Sequence, residues 1–412
     1  MKKTLLIIGF VWPEPNSSAA GSRMMQLITL FKSLKYTITF ASACTKTKNA
    51  FDLKQLGVDQ VTIKLNDSSF DDFVAALNPN IVLFDRFMIE EQYGWRVTEN
   101  CPNALRILDT EDLHCLRKAR QKAFQLKKPF NEKNLFSDDA KREIASIYRC
   151  DLSLIISEVE MKILTETFKI ESRLLFYLPF LLHPISNTSL INLPKFDQRE
   201  HFITIGNFLH PPNYQSVLYL KQTIWPLIRK EFSKAKILIY GAYASQKITQ
   251  LHNENDGFII KGFAKDVNQV MQSARLCLAP LQFGAGLKGK LIDAMQNGTP
   301  CMMSCIAAEG MFGNFDANGF IEDNPEAFAQ KTIELYKNQS LWTEKQDNGF
   351  RAINSRFQIS DFQKPFINTL DSILLDLSAH RQENFIGQIL QHHTIQSTKF
   401  MSKWIEEKQH KK

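Results

Sequence analysis

A glycine-rich turn flanked by lysines is the stretch of this chain best suited to hold a phosphate group. Gly284 and Gly286 follow an apolar run that predicts a buried strand, and a helix is expected to begin near Leu287. Glycine permits close backbone approach and positive φ angles, while the free N–H groups and dipole of a helix start attract an anion. Lys288 and Lys290 add positive charge. The spacing therefore predicts an anion site.

Asp293 extends this predicted site toward a sugar. It follows Lys290 by three residues, so the two side chains share one helix face. A carboxylate accepts hydrogen bonds from sugar hydroxyls, which suits a nucleotide with its diphosphate on the lysine and its ribose on the aspartate. The same residues are also typical of a plain chain turn with a solvated helix end, and spacing alone leaves both interpretations open.

A second group of reactive side chains follows a predicted strand in the first half of the chain. Asp109, Glu111, Asp112 and His114 place carboxylates and an imidazole at the carboxyl edge of a parallel sheet, where such sheets bind ligands. We predict that His114 lies in a cleft near the reacting groups and that Asp112 orients it or serves as a base. The alternative is a helix start, with Asp112 capping backbone N–H groups and His114 on the first turn.

The elements that must position these residues alternate between apolar runs and amphipathic stretches. Strands are predicted at residues 5–11, 38–41, 61–65, 81–85, 105–108, 152–156, 202–205, 237–240, 258–260, 276–280 and 299–303. Such alternation predicts parallel sheets covered on both faces. The expected fold class is α/β, with two Rossmann-like parallel-sheet domains facing a cleft.

Four segments carry a family resemblance. The stretch APLQFGAGLKGKLIDAMQNGTPCMMS, continued through Glu309, resembles the donor-sugar region of family-4 retaining glycosyltransferases, which have the GT-B fold and use nucleotide-activated sugars. ITIGNFLHPPNYQSVLYL is similar to the first strand, loop and helix of their C-terminal domain, and Leu178-Pro179 resembles the end of their N-terminal domain. ILDTEDLHCLRKAR is similar to a loop in which a bacterial subgroup carries Asp-Leu-His and spaced arginines.

The resemblance implies transfer of a sugar from a nucleoside-diphosphate sugar to a glycan or lipid-linked acceptor, with retention of configuration, in surface polysaccharide or glycoconjugate assembly. It implies no obligatory divalent ion, and no residue spacing argues for a metal site. The lysines and the helix start would stabilise charge on the departing diphosphate. The catalytic candidates are His114 and Asp112. The donor-binding candidates are Gly21, Gly284, Gly286, Lys288, Lys290, Asp293 and Glu309.

The chain departs from the family pattern at two places. Many members carry two glutamates separated by seven residues, and this chain has Ala285 and Asp293 there. Many also hold the diphosphate with an Arg and a Lys after the first strand of the C-terminal domain, whereas this chain has the residues GNFLH at 206–210. We infer that Lys288 and Lys290 supply the missing charge. Ala285 leaves open a catalytically silent homologue that acts as a nucleotide-binding or partner subunit, and a GT-B nucleotide-sugar epimerase is a further alternative.

A polar, proline-bearing stretch after Pro179 separates the two halves. We expect an N-terminal, acceptor-side domain over residues 1–183 and a linker over residues 184–200. A C-terminal, nucleotide-sugar-binding domain is expected over residues 201–359. The resemblance implies that the terminal helices over residues 360–412 pack partly back on the first domain.

Composition excludes several classes of protein. The chain has 412 residues, of which 44% are hydrophobic, which is enough for two cores. Its seven scattered cysteines favour reduced thiols in a cytosol over disulfides or metal ligation. The first turn lacks a Gly-x-Gly-x-x-Gly fingerprint, so NAD is not expected. Trp12 and Pro13 end the first apolar run and a helix is expected to open at Ser22, which favours a first strand over a signal peptide.

Basic residues are concentrated in two stretches that bear on the partners. Residues 117–142 contain nine basic and three acidic residues, a balance of +6 against +7 for the whole chain. They suit either a solvated helix face or contact with an anionic membrane or a lipid-diphosphate acceptor, and no nucleic-acid signature accompanies them. Near the C-terminus, Phe400, Met401 and Trp404 form an apolar stripe among lysines. A docked helix would bury Trp404 and a lipid-bound one would leave it free. The expected location is cytoplasmic, with peripheral contact at the inner face of the membrane left open.

Overall fold

The computed structural model describes residues 3–410, excluding the side chains of residues 187, 189 and 393–396, and contains two parallel sheets. The strands are β1 (Thr4–Ile8), β2 (Thr37–Ser42), β3 (Asp59–Thr62), β4 (Ile81–Asp85), β5 (Leu105–Asp109), β6 (Leu152–Ile155), β7 (Leu175–Tyr177), β8 (Glu200–Ile205), β9 (Ile237–Tyr240), β10 (Phe258–Gly262), β11 (Ala274–Ala279), β12 (Cys301–Met303) and β13 (Gly319–Ile321). The first sheet has the order β3-β2-β1-β4-β5-β6-β7 and the second β10-β9-β8-β11-β12-β13. The predicted α/β architecture is confirmed.

Helices cover both faces of each sheet. They are α1 (Ala19–Ser33), α2 (Ser69–Leu77), α3 (Phe87–Asn100), α4 (His114–Gln125), α5 (Asp138–Arg149), α6 (Glu158–Lys162), α7 (Asn187–Ile191), α8 (Pro211–Tyr219), α9 (Trp225–Glu231), α10 (Gln246–Thr249), α11 (Val267–Ser273), α12 (Gly289–Gln296), α13 (Cys305–Ala308), α14 (Pro325–Lys337), α15 (Gln339–Arg356), α16 (Ile359–Leu375), α17 (Leu377–Glu383) and α18 (Phe385–His410). Among the residues described, none of these helices is long and apolar enough to cross a membrane.

The apolar runs form strands because both faces of each sheet are buried. In β1, Leu6 and Ile8 join one apolar cluster, while Leu5 and Ile7 join the cluster on the opposite face. This is the alternation expected when successive strand side chains point to opposite sides. The short strands β7 and β13, each of three residues, were not predicted.

Two helix starts differ from the predictions. The helix α1 begins at Ala19 rather than at Ser22, because the Ser18 hydroxyl caps it by accepting a hydrogen bond from the Gly21 amide at 3.0 Å. The helix α12 begins at Gly289 rather than near Leu287. The glycine turn is therefore longer than predicted, and Lys288 stands just before the helix.

The terminal helices pack on the N-terminal sheet domain. Phe366 of α16 lies edge-on to Phe31 of α1, with ring centroids 5.7 Å apart. Farther along, Glu406 of α18 accepts a hydrogen bond from the Ser68 amide at 3.0 Å. Trp404 nevertheless remains exposed. The expectation that docking would bury Trp404 was therefore wrong, since α18 docks through its other face.

Candidate functional site

The glycine turn lies against the N-terminal domain. Gly286 has a φ of 64°, and its amide donates a hydrogen bond to Glu160 Oε1 at 2.8 Å. A Cβ atom placed on it would lie 2.9 Å from the Asp112 Cβ, so this position requires glycine for both its backbone angle and its close contact. Glu160 Oε1 also accepts a hydrogen bond from the Leu113 amide at 2.9 Å. One carboxyl group therefore ties the turn to the loop after β5.

Lys288 is buried within its own turn. Its Nζ donates hydrogen bonds to the carbonyl oxygens of Gly286 at 2.6 Å and Ala285 at 3.1 Å. Burial lowers its pKa to about 8, although Glu309 and Glu160 act in the opposite direction. Its ammonium group thus closes the turn through two backbone carbonyls, and no ion pair with it occurs among residues 3–410.

Lys290 lies on the first turn of α12 and faces the cleft. Its Nζ donates a hydrogen bond to Asn213 Oδ1 at 3.0 Å, and burial lowers its pKa to about 8. Within the described part of the chain, Lys290 has no carboxylate within 4.0 Å, and the amides of Gly289 and Lys290 have no hydrogen-bond acceptor. A partly buried cation beside free helix amides can accept an anion.

Asp293 lies one turn after Lys290 on α12. Burial raises the pKa of this carboxyl group to about 7, and the Lys290 charge opposes that rise only in part. Its carboxylate forms no hydrogen bond with the side chains that the structure describes. It is therefore free to accept hydrogen bonds from a ligand hydroxyl group, as its position in the sequence predicts.

The opposite rim of the cleft carries His114 and Asp112. The Asp112 carboxylate accepts hydrogen bonds from Arg117 Nε at 2.8 Å and Nη2 at 3.2 Å, and it lies 3.5 Å from His114 Nε2. Burial raises the pKa of Asp112, but the charge and the hydrogen bonds of Arg117 outweigh it and hold that pKa below its usual range. Burial lowers the pKa of His114 to about 3 despite Asp112. His114 is therefore neutral near pH 7 and suited to hydrogen bonding.

The interpretation of Asp112 as a helix cap is wrong. The helix α4 starts at His114, and its first amides are held by two buried glutamates. Glu143 accepts hydrogen bonds from the amides of His114 at 2.9 Å and Cys115 at 2.8 Å. Burial raises the pKa of Glu143 to about 7 and that of Glu160 to about 8. These capping groups leave the Asp112 carboxylate to Arg117.

His210 is a cleft residue that the sequence reasoning missed. It precedes α8, and burial lowers its pKa to about 4, with further lowering by the charges of Arg117, Lys290 and Arg86. The Asp112 charge opposes this shift. His210 therefore lies within electrostatic reach of both rims. The sequence signal that could have identified His210 was its place in residues 206–210, the segment that the resemblance aligns with the family's Arg and Lys.

Hydrogen bonds from Arg120 to Glu309 and Gly284 join the two domains at one side of the cleft. Arg120 donates two hydrogen bonds of 2.7 Å to the Glu309 carboxylate and one of 2.9 Å to the Gly284 carbonyl. Glu309 and Gly284, both predicted to bind the donor, are thus engaged with the other domain. Gly21 is also occupied, since its amide is bonded to Ser18 and the Glu14 backbone packs against it.

Ala285 is the residue that the sequence resemblance aligns with a family glutamate. It is 7% exposed and belongs to the apolar cluster of the N-terminal domain. An apolar contact between domains therefore replaces a carboxylate at this point. The described residues contain no group of three or more His, Cys, Asp or Glu side chains arranged to hold a metal ion.

The region that contains the glycine turn matches a known protein family. Residues 199–338 match the family model for Glycosyl transferases group 1. A Klebsiella pneumoniae protein described as an uncharacterized 44.6 kDa protein in cps region is 26% identical over 171 residues. That match covers 40% of this chain and 44% of the relative, so the match spans less than half the length of this curated relative.

Solved structures share the two-sheet architecture. S. aureus TarM, in complex with Fondaparinux, alpha-GlcNAc-glycerol and UDP, has a TM-score of 0.67 at 12% identity over 90% of this chain and 99% of its own. The pneumococcal O-GlcNAc transferase GtfA, in complex with UDP and GlcNAc, has a TM-score of 0.66 at 12% identity, with coverages of 90% and 99%. Anabaena HepE, in complex with UDP and glucose, has a TM-score of 0.65 at 13% identity, with coverages of 90% and 100%. The chain has the GT-B fold of these structures.

Proposed function

We propose that this chain is a retaining GT-B glycosyltransferase of the family-4 type that moves a sugar from a nucleoside-diphosphate sugar to an acceptor. The observation that carries the proposal is Lys290, a partly buried cation with no carboxylate partner among the described residues, beside the free amides that open α12. The family match over residues 199–338 includes this helix. UDP in the related structures supports a nucleotide donor.

In this proposal the donor diphosphate binds Lys290 and the first amides of α12. A buried ammonium without a counter-ion is costly, and an anionic ligand offsets that cost. Asp293, one turn along the same face, would accept hydrogen bonds from the ribose hydroxyls. We expected Lys288 to bind the diphosphate directly. Instead, its ammonium group donates hydrogen bonds to backbone carbonyls of the turn, so in this proposal its charge acts on the diphosphate without direct contact.

The reacting sugar would lie between the two rims of the cleft. His114 is suited to hydrogen bonding with the sugar or an acceptor hydroxyl, since its imidazole is neutral near pH 7. Asp112 orients His114 and is a poor base, because Arg117 holds its pKa low. Charge that develops on the departing diphosphate would be stabilised by Lys290 and the start of α12.

The acceptor and its setting are also part of the proposal. The N-terminal domain, over residues 1–183, would bind a glycan or lipid-linked acceptor, while residues 201–359 bind the donor. The Klebsiella relative is described as lying in a cps region, which supports a role in polysaccharide assembly. We assign the chain to the cytoplasm, at the side where nucleotide sugars are made.

A catalytically silent homologue is the second candidate function. The observation that favours it is Ala285, which places an apolar contact where family members carry the first glutamate. Such a protein would bind the nucleotide without turning it over.

A screen of nucleotide sugars tests these candidates. The purified chain is incubated with a panel of UDP-, GDP- and ADP-sugars, and free nucleoside diphosphate is measured alongside calorimetric binding. Release from at least one donor, lost in Lys290→Met, supports the transferase. Tight nucleotide binding with no turnover across the panel supports the silent homologue, and interconversion of sugars without transfer supports an epimerase.

A further inference from the structure

The last long helix, α18, is attached to the N-terminal domain through one face. Ser402 is buried and its Oγ lies 3.2 Å from Asn66 Oδ1, while Glu406 accepts the Ser68 amide. At the other end, Gln391 Nε2 donates a hydrogen bond to the Arg149 carbonyl at 2.8 Å. These contacts hold both ends of the helix, so its orientation on the domain is fixed.

The opposite face of α18 is apolar and exposed. Its six large side chains are between 43% and 67% exposed: Phe385, Ile386, Ile389, Phe400, Met401 and Trp404. At 3.6 residues per turn, all six fall within about 160° of the helix circumference. We call this set the α18 outer face. It is continued on the neighbouring loop by Leu65, which is also exposed beside Asn66.

Positive charge accompanies the α18 outer face. Lys403 and Lys408 are exposed, and Lys408 Nζ lies 4.1 Å from the centroid of the Trp404 ring. Lys64, beside Leu65, is also largely exposed, and its Nζ lies 3.9 Å from Asp67 Oδ2. Of the two glutamates of the helix, Glu406 is turned toward the Ser68 amide, whereas Glu407 is exposed on the outer face and offsets one of the two lysines, Lys403 and Lys408. The outer face therefore combines apolar side chains with a net positive rim.

We propose that the α18 outer face binds the surface of an anionic lipid bilayer. An amphipathic helix with aromatic residues on one side and lysines around them lies in the plane of the headgroups. Tryptophan is enriched at that depth, and lysines are attracted by anionic lipids. This interaction is independent of the proposed transfer reaction.

The distribution of tryptophans provides a direct readout. Trp404 is 57% exposed, whereas the other four tryptophans are at most 6% exposed: Trp12, Trp95, Trp225 and Trp342. Acrylamide quenching of the intact chain therefore reports mainly on Trp404. With vesicles of phosphatidylglycerol we expect a blue shift and protection from quenching, both reversed by salt. Pure phosphatidylcholine vesicles should give neither.

Paired variants locate the contact. Phe400→Ser with Met401→Ser should lower vesicle affinity by about tenfold or more, and Lys403→Gln with Lys408→Gln should lower it by about fivefold per lysine. The matched control is Leu126→Ser with Phe136→Ser, two exposed apolar residues on the loop between α4 and α5. The control should bind vesicles as the parent does. Trp404→Phe should keep binding and lose the fluorescence change, which verifies the signal.

Three results would overturn the proposal. One is vesicle binding that persists in the Phe400–Met401 variant with an unchanged melting temperature. Another is loss of binding in the Leu126–Phe136 control, which would move the contact to that loop. The third is protection of Trp404 that rises with protein concentration in the absence of vesicles, which would identify a second copy of the chain as the occupant.

Discussion

The two rims of the cleft differ in whether their charged side chains form ion pairs. On the N-terminal rim, Arg117 pairs with Asp112 and Arg86 pairs with Glu111 at 2.9 Å. On the C-terminal rim, Lys290 and Asp293 form no ion pair within 4.0 Å among the residues described. Paired charges are already satisfied by the protein, whereas unpaired buried charges are costly until something else binds them. In our proposal, the donor supplies the counter-charge that the second rim lacks.

The direction of each pKa shift follows this difference. Arg117 keeps Asp112 ionised, with its pKa below the usual range. Burial moves Lys290 and Asp293 toward their neutral forms, with pKa values of about 8 and about 7. Glu111 is an exception to this pattern. Although it is paired with Arg86, burial raises its pKa to about 8. Pairing preserves charge only where it outweighs desolvation.

The largest effect is expected from breaking a paired charge behind the N-terminal rim. Arg23 and Asp109 form a fully buried pair, with Nη2 and Oδ1 2.8 Å apart. Asp109→Ala leaves the guanidinium without its carboxylate and should lower the free energy of unfolding by about 3–5 kcal/mol. Urea denaturation measures this. The control is Arg142→Ala, which breaks a pair with Glu91 on the surface and should cost less than about 1 kcal/mol. Similar losses in both variants would contradict the comparison.

The next effect is expected from removing an unpaired charge on the C-terminal rim. Lys290→Met should weaken nucleoside-diphosphate binding by about 1.5–3 kcal/mol, because it removes a charge-assisted hydrogen bond. Its stability should stay the same or rise, since a buried charge is lost. Calorimetric titration and thermal melting separate the two results. Lys118→Met, which removes a lysine paired with Asp139 outside the cleft, is the control. If Lys290→Met binds nucleotide as tightly as the parent, the assignment of Lys290 to the donor site is wrong.

A smaller effect is expected at His114. His114→Ala should lower turnover by roughly fivefold, equivalent to about 1 kcal/mol for one neutral hydrogen bond, with nucleotide affinity unchanged. Steady-state rates at saturating donor measure this effect. A lower melting temperature with parental turnover would show that His114 only packs against Phe87, whose ring lies 5.4 Å away.

The smallest effect is a pH dependence of donor binding. The pKa of Lys290 is lowered from its ordinary value to about 8, so its charge is present below pH 8 and lost above it. Nucleotide affinity should therefore fall by about fourfold from pH 7 to 8.5. Lys290→Arg keeps the charge and should flatten the profile. Asp293→Asn tests whether ionisation of that carboxyl group near pH 7 contributes. A parental profile in both variants would point to another titrating group.

The sequence predicted local features and missed long-range ones. Apolar runs identified every strand except β7 and β13, and the glycine turn placed Lys290 and Asp293 together because they share one helix. Glu160 lies 126 residues before Gly286 in the chain, so no local pattern linked their contact. Arg120 and Glu309 are 189 residues apart. The sequence left open the alternative of Asp112 as a helix cap, because its acceptor role is decided by Arg117 and by two distant glutamates.

The carboxyl group of Glu160 connects the glycine turn to the N-terminal domain. It accepts amides from the loop after β5 and from the glycine turn, so the turn takes its full set of contacts only when the two domains are together. If the donor binds beside this turn, as we propose, donor binding and the approach of the two domains are thermodynamically linked. By reciprocity, a donor that favours the closed form is itself held more tightly by closure, with the same coupling free energy. In this proposal, donor binding would itself shift the equilibrium toward the arrangement in which the two domains are in contact.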